Sequence, residues 1–325
     1  MKKIGLLLVM CAALAAYAQQ PDSNPSAGST DSATPSGTIS TNATFPVELV
    51  QTPTYTDIYC AGYVTKQVIP AANFVAGGLD TPNTTKFVNG DVVYLQGSGY
   101  QTGQQYNIVR ELVDPNRYEI FAGQFAMLKE MGQPYAEIAR VRIVDSRSKI
   151  AIGQVEFSCD PVSPGDLAVP FAEKTPISFH PSLRFDRFVP ASGKLGGRIV
   201  MARDFDSLLG TGSKIYLNAG SNQGVKVGDY FRAVRTYGVD LRDPVDSLSF
   251  KAAIAEDTQK RPPSINPTMF TKNSGPTIHV QDLPRRAVGE IVILSTTPTT
   301  STGMVVFAME DLHLGDNVEI DQQQP

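Results

Sequence analysis

Little in this chain has the residue types and spacing that chemistry needs. The three histidines, His180, His279 and His313, sit in unrelated stretches. None has a second His or Cys at the spacing that holds a tetrahedral metal. Cys159 and His180 make a conceivable thiol–imidazole pair, but no further member of a nucleophilic constellation accompanies them. No Gly-x-Ser-x-Gly elbow occurs. Gly97 to Gly103 is glycine-rich, yet Gln104 follows where a phosphate loop needs Lys. Asp204-Phe205-Asp206 opens like a calcium loop, but Leu209 and Ile215 stand in place of its Gly and its closing Glu. Paired carboxylates for glycoside hydrolysis pair in space and leave no trace in spacing. The sequence therefore assigns no catalytic residue, no cofactor and no metal ligand.

What the sequence does show is the elements that would position a site, because the chain repeats itself. Residues 139–169 and 289–319 align without a gap. Gly153, Val155, Phe157, Gly165 and Asp166 recur at a constant offset as Gly303, Val305, Phe307, Gly315 and Asp316. Upstream, Val93-Tyr94-Leu95 and Tyr106-Asn107-Ile108-Val109-Arg110 are echoed by Ile215-Tyr216-Leu217 and Phe231-Arg232-Ala233-Val234-Arg235. Residues common to two copies of a module are expected to build the fold. Gly165, Asp166, Gly315 and Asp316 read as structural turns: Gly adopts the backbone angle and Asp bonds nearby amides. Asn89-Gly90-Asp91 and Val227-Gly228-Asp229 repeat the device. These aspartates lack a second ligand at short spacing, which argues against calcium.

The N-terminus reads as an export signal. Lys2 and Lys3 precede an apolar run, Ile4 to Ala16, that is shorter than the about 20 residues a membrane helix needs. Ala16-Tyr17-Ala18 fits signal-peptide cleavage, giving a mature chain from Gln19. Cys11 fits a lipid anchor poorly, since Met10 stands where such a signal wants a small residue. Losing Lys2 and Lys3 takes 28 basic residues to 26 against 32 acidic ones, a net charge of −6. A chain so charged is not expected to bind nucleic acid. The remaining cysteines, Cys60 and Cys159, are an even pair in an exported chain, which favours a disulfide over two buried free thiols.

Short runs rich in Val, Ile, Tyr and Phe predict strands at 91–95, 105–110, 139–144 and 150–157. Module 2 supplies the counterparts at 214–217, 230–235, 288–294 and 302–308. No stretch carries helical periodicity over three turns, and Phe125 to Met131 fits one short helix or a strand. The expectation is an all-β fold: two related small β-barrel or sandwich-like modules in tandem after a disordered N-terminal segment. The order is signal peptide (1–18), disordered linker (19–44), module 1 (45–170), a Pro/Phe-rich linker (171–193), module 2 (194–320) with an insertion (239–284), and a tail (321–325).

Several of these residues resemble a known family. Tyr216-Leu217-Asn218, Gly220 to Asp229, Val288-Gly289-Glu290-Ile291, Thr302-Gly303 and Leu314-Gly315-Asp316 resemble the C-terminal β module of the flagellar assembly protein T. They are also similar to the β region that follows LysM domains in exported bacterial proteins, though this chain has no LysM sequence. Module 1 follows the pattern with a degraded turn at Gln96 to Gly103. The resemblance implies a small β-barrel module in a Gram-negative envelope protein, active in assembly or binding, and carries no catalytic residue.

Two segments stand out as candidate contact regions. The linker interleaves Phe171, Phe179, Phe185 and Phe188 with Arg184 and Arg187; it reads as a docking strip or as aromatics packed on a module edge. The insertion, with Arg261-Pro262-Pro263 and Asn266-Pro267, is the best candidate for a partner-contacting loop. The reading is a periplasmic or secreted, non-enzymatic envelope module that binds or scaffolds an envelope protein or peptidoglycan, with no transmembrane helix in the mature chain. The alternative is a cell-wall hydrolase with its site between the modules.

Overall fold

The computed structural model describes residues 51–81, 83–147, 149–177, 185–188, 190–235, 257–259, 277–279 and 284–321. The leader, the 19–44 linker, most of the insertion, residues 322–325, Phe179, His180 and Arg184 lie outside the described residues.

The described chain starts with α1 (Tyr55–Tyr59) and β1 (Tyr63–Thr65). Thr54 caps α1 with its hydroxyl while Asp57 returns a bond to the Thr54 amide. Then come β2 (Phe74–Gly78), β3 (Val92–Gln96), β4 (Gln105–Glu111), α2 (Gln124–Met131), β5 (Gln133–Asp145), β6 (Ile150–Ser158) and β7 (Leu167–Pro170). The second half contributes β8 (Gly196–Ala202), β9 (Leu208–Leu209), β10 (Lys214–Leu217), β11 (Tyr230–Arg235), β12 (Asp257–Gln259) and β13 (Thr277–His279). It ends with β14 (Arg286–Thr296), β15 (Ser301–Ala308), β16 (Leu312–His313) and β17 (Asn317–Ile320).

The fold is all-β, and each half closes into a six-stranded antiparallel barrel. Going round barrel 1 the order is β5-β4-β7-β2-β3-β6, and β6 returns to β5. Going round barrel 2 it is β14-β11-β17-β8-β10-β15, and β15 returns to β14. Strand for strand, the two orders are the same. The match extends to irregularities. β5 slips register against β6 between Arg140 and Val141 and between Ile143 and Asp145. β14 slips against β15 between Glu290 and Ile291 and between Ile293 and Ser295, each 150 residues on. Such bulges bend a strand, which a barrel of only six strands requires.

The repeated glycines mark the tightest points of the closure. Gly153 faces Ile143 and Val93, and Gly303 faces Ile293 and Ile215. A Cβ on Gly153 would lie 2.3 Å from Val141, and one on Gly303 would lie 2.5 Å from Ile291. Consecutive residues point to opposite faces of a strand. Phe231 and Ala233 accordingly join the main core of barrel 2, while Tyr230 packs outside with Val292, Leu294, Met304 and Val306. Val75, Val93, Leu95, Ile108, Val141 and Ile143 form the matching core of barrel 1.

The barrels are joined by β1 and by the connection that carries α2. β1 adds to the start of β5, and carbonyls of β1 and of the two residues before it accept hydroxyls from barrel 2: Thr302 on Gly62 (3.0 Å), Thr300 on Val64 (2.6 Å) and Tyr216 on Ala61 (3.1 Å). Gly62 has φ +73°, and a Cβ there would sit 2.5 Å from the Tyr135 carbonyl and 2.6 Å from the Tyr216 hydroxyl. No side chain fits that gap. The connection from β4 to β5 carries α2 and closes one end of barrel 2. Phe121 lies against Gly315, and Gln124 donates from Nε2 to the Val200 carbonyl (3.0 Å). Lys214 pairs with Asp57 and Arg203 with Asp160 across the same junction.

Candidate functional site

The polar groups that both barrels share are bound up within each barrel. Asp166, at the turn before β7, accepts Nε of Arg110 (2.7 Å), Nη2 of Arg110 (2.8 Å) and the Ser163 amide (2.7 Å). Asp316, before β17, accepts Nε of Arg235 (3.0 Å), Nη2 of Arg235 (2.6 Å) and the His313 amide (2.8 Å). The spare guanidinium hydrogen reaches the Pro161 carbonyl in one barrel and the Asp311 carbonyl in the other. The turn aspartates thus do bond a nearby amide, and they also clamp the end of β4 or β11. Each arginine holds both carboxylate oxygens, a fork geometry that Lys cannot reproduce. Asp91 and Asp229 repeat the amide contact alone, with Val88 (2.8 Å) and Lys226 (2.8 Å).

Chemistry that differs between the barrels gathers where residue 140 is replaced by residue 290. In barrel 1, Arg140 is sheathed by aromatics: its guanidinium carbon lies 4.0 Å from the Phe171 ring centre and 4.8 Å from that of Tyr59. Next to it Glu137, buried, accepts Nζ of Lys174 (2.6 Å) and the Gly62 amide (3.1 Å). Burial still pushes the Glu137 carboxyl up, against the pull of Lys174. In barrel 2, Glu290 faces Arg232 on β11 and Phe307 on β15. Phe185 packs on both of these neighbours, 5.0 Å from Phe307 and 5.5 Å from the Arg232 guanidinium. Arg232 is committed to Asp321 (2.9 Å), and Glu290 Oε2 has no hydrogen-bond partner. Glu290 is 4% exposed. Burial first, then the nearby Asp321 charge, pushes its carboxyl up to about 7, with Arg232 opposing. Such an acid can hold or release a proton near neutrality, but Glu290 is shut off from solvent.

Cys60 and Cys159 are bonded, with Cα atoms 5.6 Å apart, tying α1 to the end of β6. His313 lies in the turn that Asp316 closes, while the side chain of His279 and all of His180 are outside the described residues. Asp204-Phe205-Asp206 forms a turn with Phe205 at φ 62° and Asp204 paired to Arg203. Among the described residues no three His, Cys, Asp or Glu side chains gather to hold a metal. Nor is any described helix long and apolar enough to cross a membrane. In the linker, Phe171 packs on Tyr59 of α1 and Arg140 of β5 and Phe185 on Phe307 of β15, whereas Phe188 is 64% exposed. Of the insertion only β12 and β13 are described, paired with each other.

Sequence reading missed Arg110 and Arg235 as partners of the turn aspartates, although their shared position at the ends of aligned strands was the available signal. It also missed Glu137 and Glu290, for which no local signal exists. Compared with known proteins, the chain matches no family model and no curated protein.

Proposed function

We propose that this chain is an exported, non-enzymatic module of the cell envelope that binds or scaffolds an envelope protein or peptidoglycan. One observation carries the reading: the charged residues common to both barrels, Arg110–Asp166 and Arg235–Asp316, are spent on closing the barrels. What remains to differ, and so to recognise a partner, is outer surface and connections. The Cys60–Cys159 bond supports an oxidising compartment. The resemblance to the flagellar assembly protein T module supports an envelope role in a Gram-negative cell. The insertion 239–284 is our candidate for the partner-contacting loop.

The test is co-sedimentation of the mature chain with purified peptidoglycan sacculi, alongside an assay for soluble fragments released from them. Binding without release supports the reading. Release of fragments that depends on this chain replaces it with the alternative, a cell-wall hydrolase with its site between the barrels. For a protein partner, deleting 239–284 should abolish capture of a specific envelope protein while the barrels stay folded.

A further inference from the structure

Barrel 2 is docked by barrel 1 on a face that barrel 1 also possesses and leaves open. The equivalence is fixed by matching hydrogen bonds. The amide of Leu79 reaches the Val92 carbonyl as the amide of Arg203 reaches that of Lys214. The amide of Gly165 reaches the Val75 carbonyl as the amide of Gly315 reaches that of Ile199. Val200 is the residue β8 skips in its pairing with β10, and Ala76 is the residue β2 skips against β3. On barrel 2 this face comprises Val200, Tyr216, Thr300, Thr302 and Gly315, all buried under β1 and the α2 connection. On barrel 1 the same places are Ala76, Tyr94, Ile150, Ile152 and Gly165. Ala76 and Gly165 are exposed, Ile150 is 41% exposed and Leu79 beside them is 66% exposed. Phe121 presses on Gly315, whereas nothing lies within 4 Å of a Cβ built on Gly165.

The docking elements are repeated as well. Residues 185–188 lie along the start of β14, with Ala287 donating to the Arg187 carbonyl, much as β1 lies along β5. The connection that presents Phe121 reads Leu112-x-Asp114-Pro115, then Phe121. The corresponding connection of barrel 2 reads Leu241-x-Asp243-Pro244, then Phe250, with all four residues at one constant offset. The junction is not two-fold. Arg203 of barrel 2 pairs with Asp160, but their counterparts, Leu79 and Glu310, do not meet. Leu79 faces solvent and Glu310 binds Arg187, Arg235 and Arg286. The contact is therefore head-to-tail, and its free ends point to a further barrel.

We propose that this occupant is a second copy of the chain: the open face of barrel 1 receives barrel 2 of another molecule, which brings the exposed Phe188 and the connection that follows β11. A head-to-tail contact of this kind builds a closed ring if its rotation closes, and otherwise a filament. The inference goes beyond the envelope reading and does not need it, so failure here leaves the sacculus experiment untouched.

The test uses the mature chain and two variants. Ala76→Arg spoils the receiving face, and Phe250→Ala spoils the donated one. Sedimentation velocity over a dilution series should show wild type associating beyond a dimer, and each variant alone should associate about tenfold more weakly or worse. Mixed, the two variants should form a one-to-one heterodimer that grows no further, because each keeps one intact end. Circular dichroism melts check folding, and Leu79→Arg replaces Ala76→Arg if that variant is unfolded. A wild type that stays monomeric at every concentration overturns the proposal. So does association that both variants leave unchanged. A monomer that Phe250→Ala destabilises also overturns it, because Phe250 would then dock within its own chain.

Discussion

Replacing Glu290 with Gln should change how stability depends on pH, and the size of the change follows from the site. Glu290 is buried with one oxygen unpartnered, and its carboxyl sits at about 7 against an ordinary 4.5. As pH rises, the unfolded chain releases this proton first and the folded chain holds it, so folding loses stability between the two values. The loss is absent below the lower value and complete above the upper one. At about 1.4 kcal/mol per pK unit, the full penalty is about 3 kcal/mol, of which about 2 kcal/mol develops between pH 5.5 and pH 8. The groups around the site, Arg232 on β11 and Asp321 beyond β17, are present in both proteins. Their own contributions largely cancel in the comparison. Urea denaturation of wild type and Glu290→Gln at both pH values measures the difference. The variant should gain on wild type by about 2 kcal/mol from pH 5.5 to pH 8. Parallel pH profiles for the two proteins would refute the reasoning and mean that Glu290 reaches a partner or solvent in the folded state.

Two further outcomes are expected. Arg235→Met should destabilise by about 3–5 kcal/mol in chemical denaturation, because it strands a fully buried aspartate. Arg110→Met should cost less, since the Arg110 side chain is 34% exposed and water can take over part of its role; equal losses would contradict this. Replacing Cys60 and Cys159 together with Ser should cost about 2–5 kcal/mol, since the bond closes a span of 99 residues. An unchanged denaturation midpoint would show that α1 is held by its ion pair and rings alone.

The parts of the fold that were legible in the sequence are those where a local constraint forces a residue type. Gly153 and Gly303 are forced because neighbouring strands leave no room for a Cβ, and they recur at one spacing. The strands that carry them, β6 and β15, and their partner β14 were placed to within a few residues, whereas β5 starts six residues before the expected 139, at Gln133. The early part of β5 pairs with β4 on one edge and the short β1 on the other, and Gln133 and Pro134 there carry no strand signal. β2 and β8 were missed because Phe74-Val75-Ala76-Gly77-Gly78 and Gly196 to Ala202 share topology without sharing side chains. Phe125 to Met131, open between helix and strand, is a helix that begins at Gln124. Arg110 and Arg235 lie 56 and 81 residues from their aspartates, so only the alignment of the two copies, and no local window, points to them.

The two barrels show why duplication leaves function so hard to read in this chain. Where the copies agree, agreement reports closure: the same bulges, glycines and Arg–Asp clamps. Where they differ, the difference reports surroundings. Arg140 sits under Tyr59 and Phe171 because α1 and the linker cross barrel 1 there, and the neighbours of Glu290, Arg232 and Phe307, sit under Phe185 because residues 185–188 cross barrel 2. Thr300 and Thr302 are hydroxyls because β1 offers them carbonyls, while Ile150 and Ile152 stand at the same places on the open barrel. An isoleucine exposed where its twin is a buried, hydrogen-bonded threonine signals a different neighbour. The open face of barrel 1 is therefore best read as matched to an occupant more apolar than the strand that covers barrel 2. The exposed ring of Phe188 has that character.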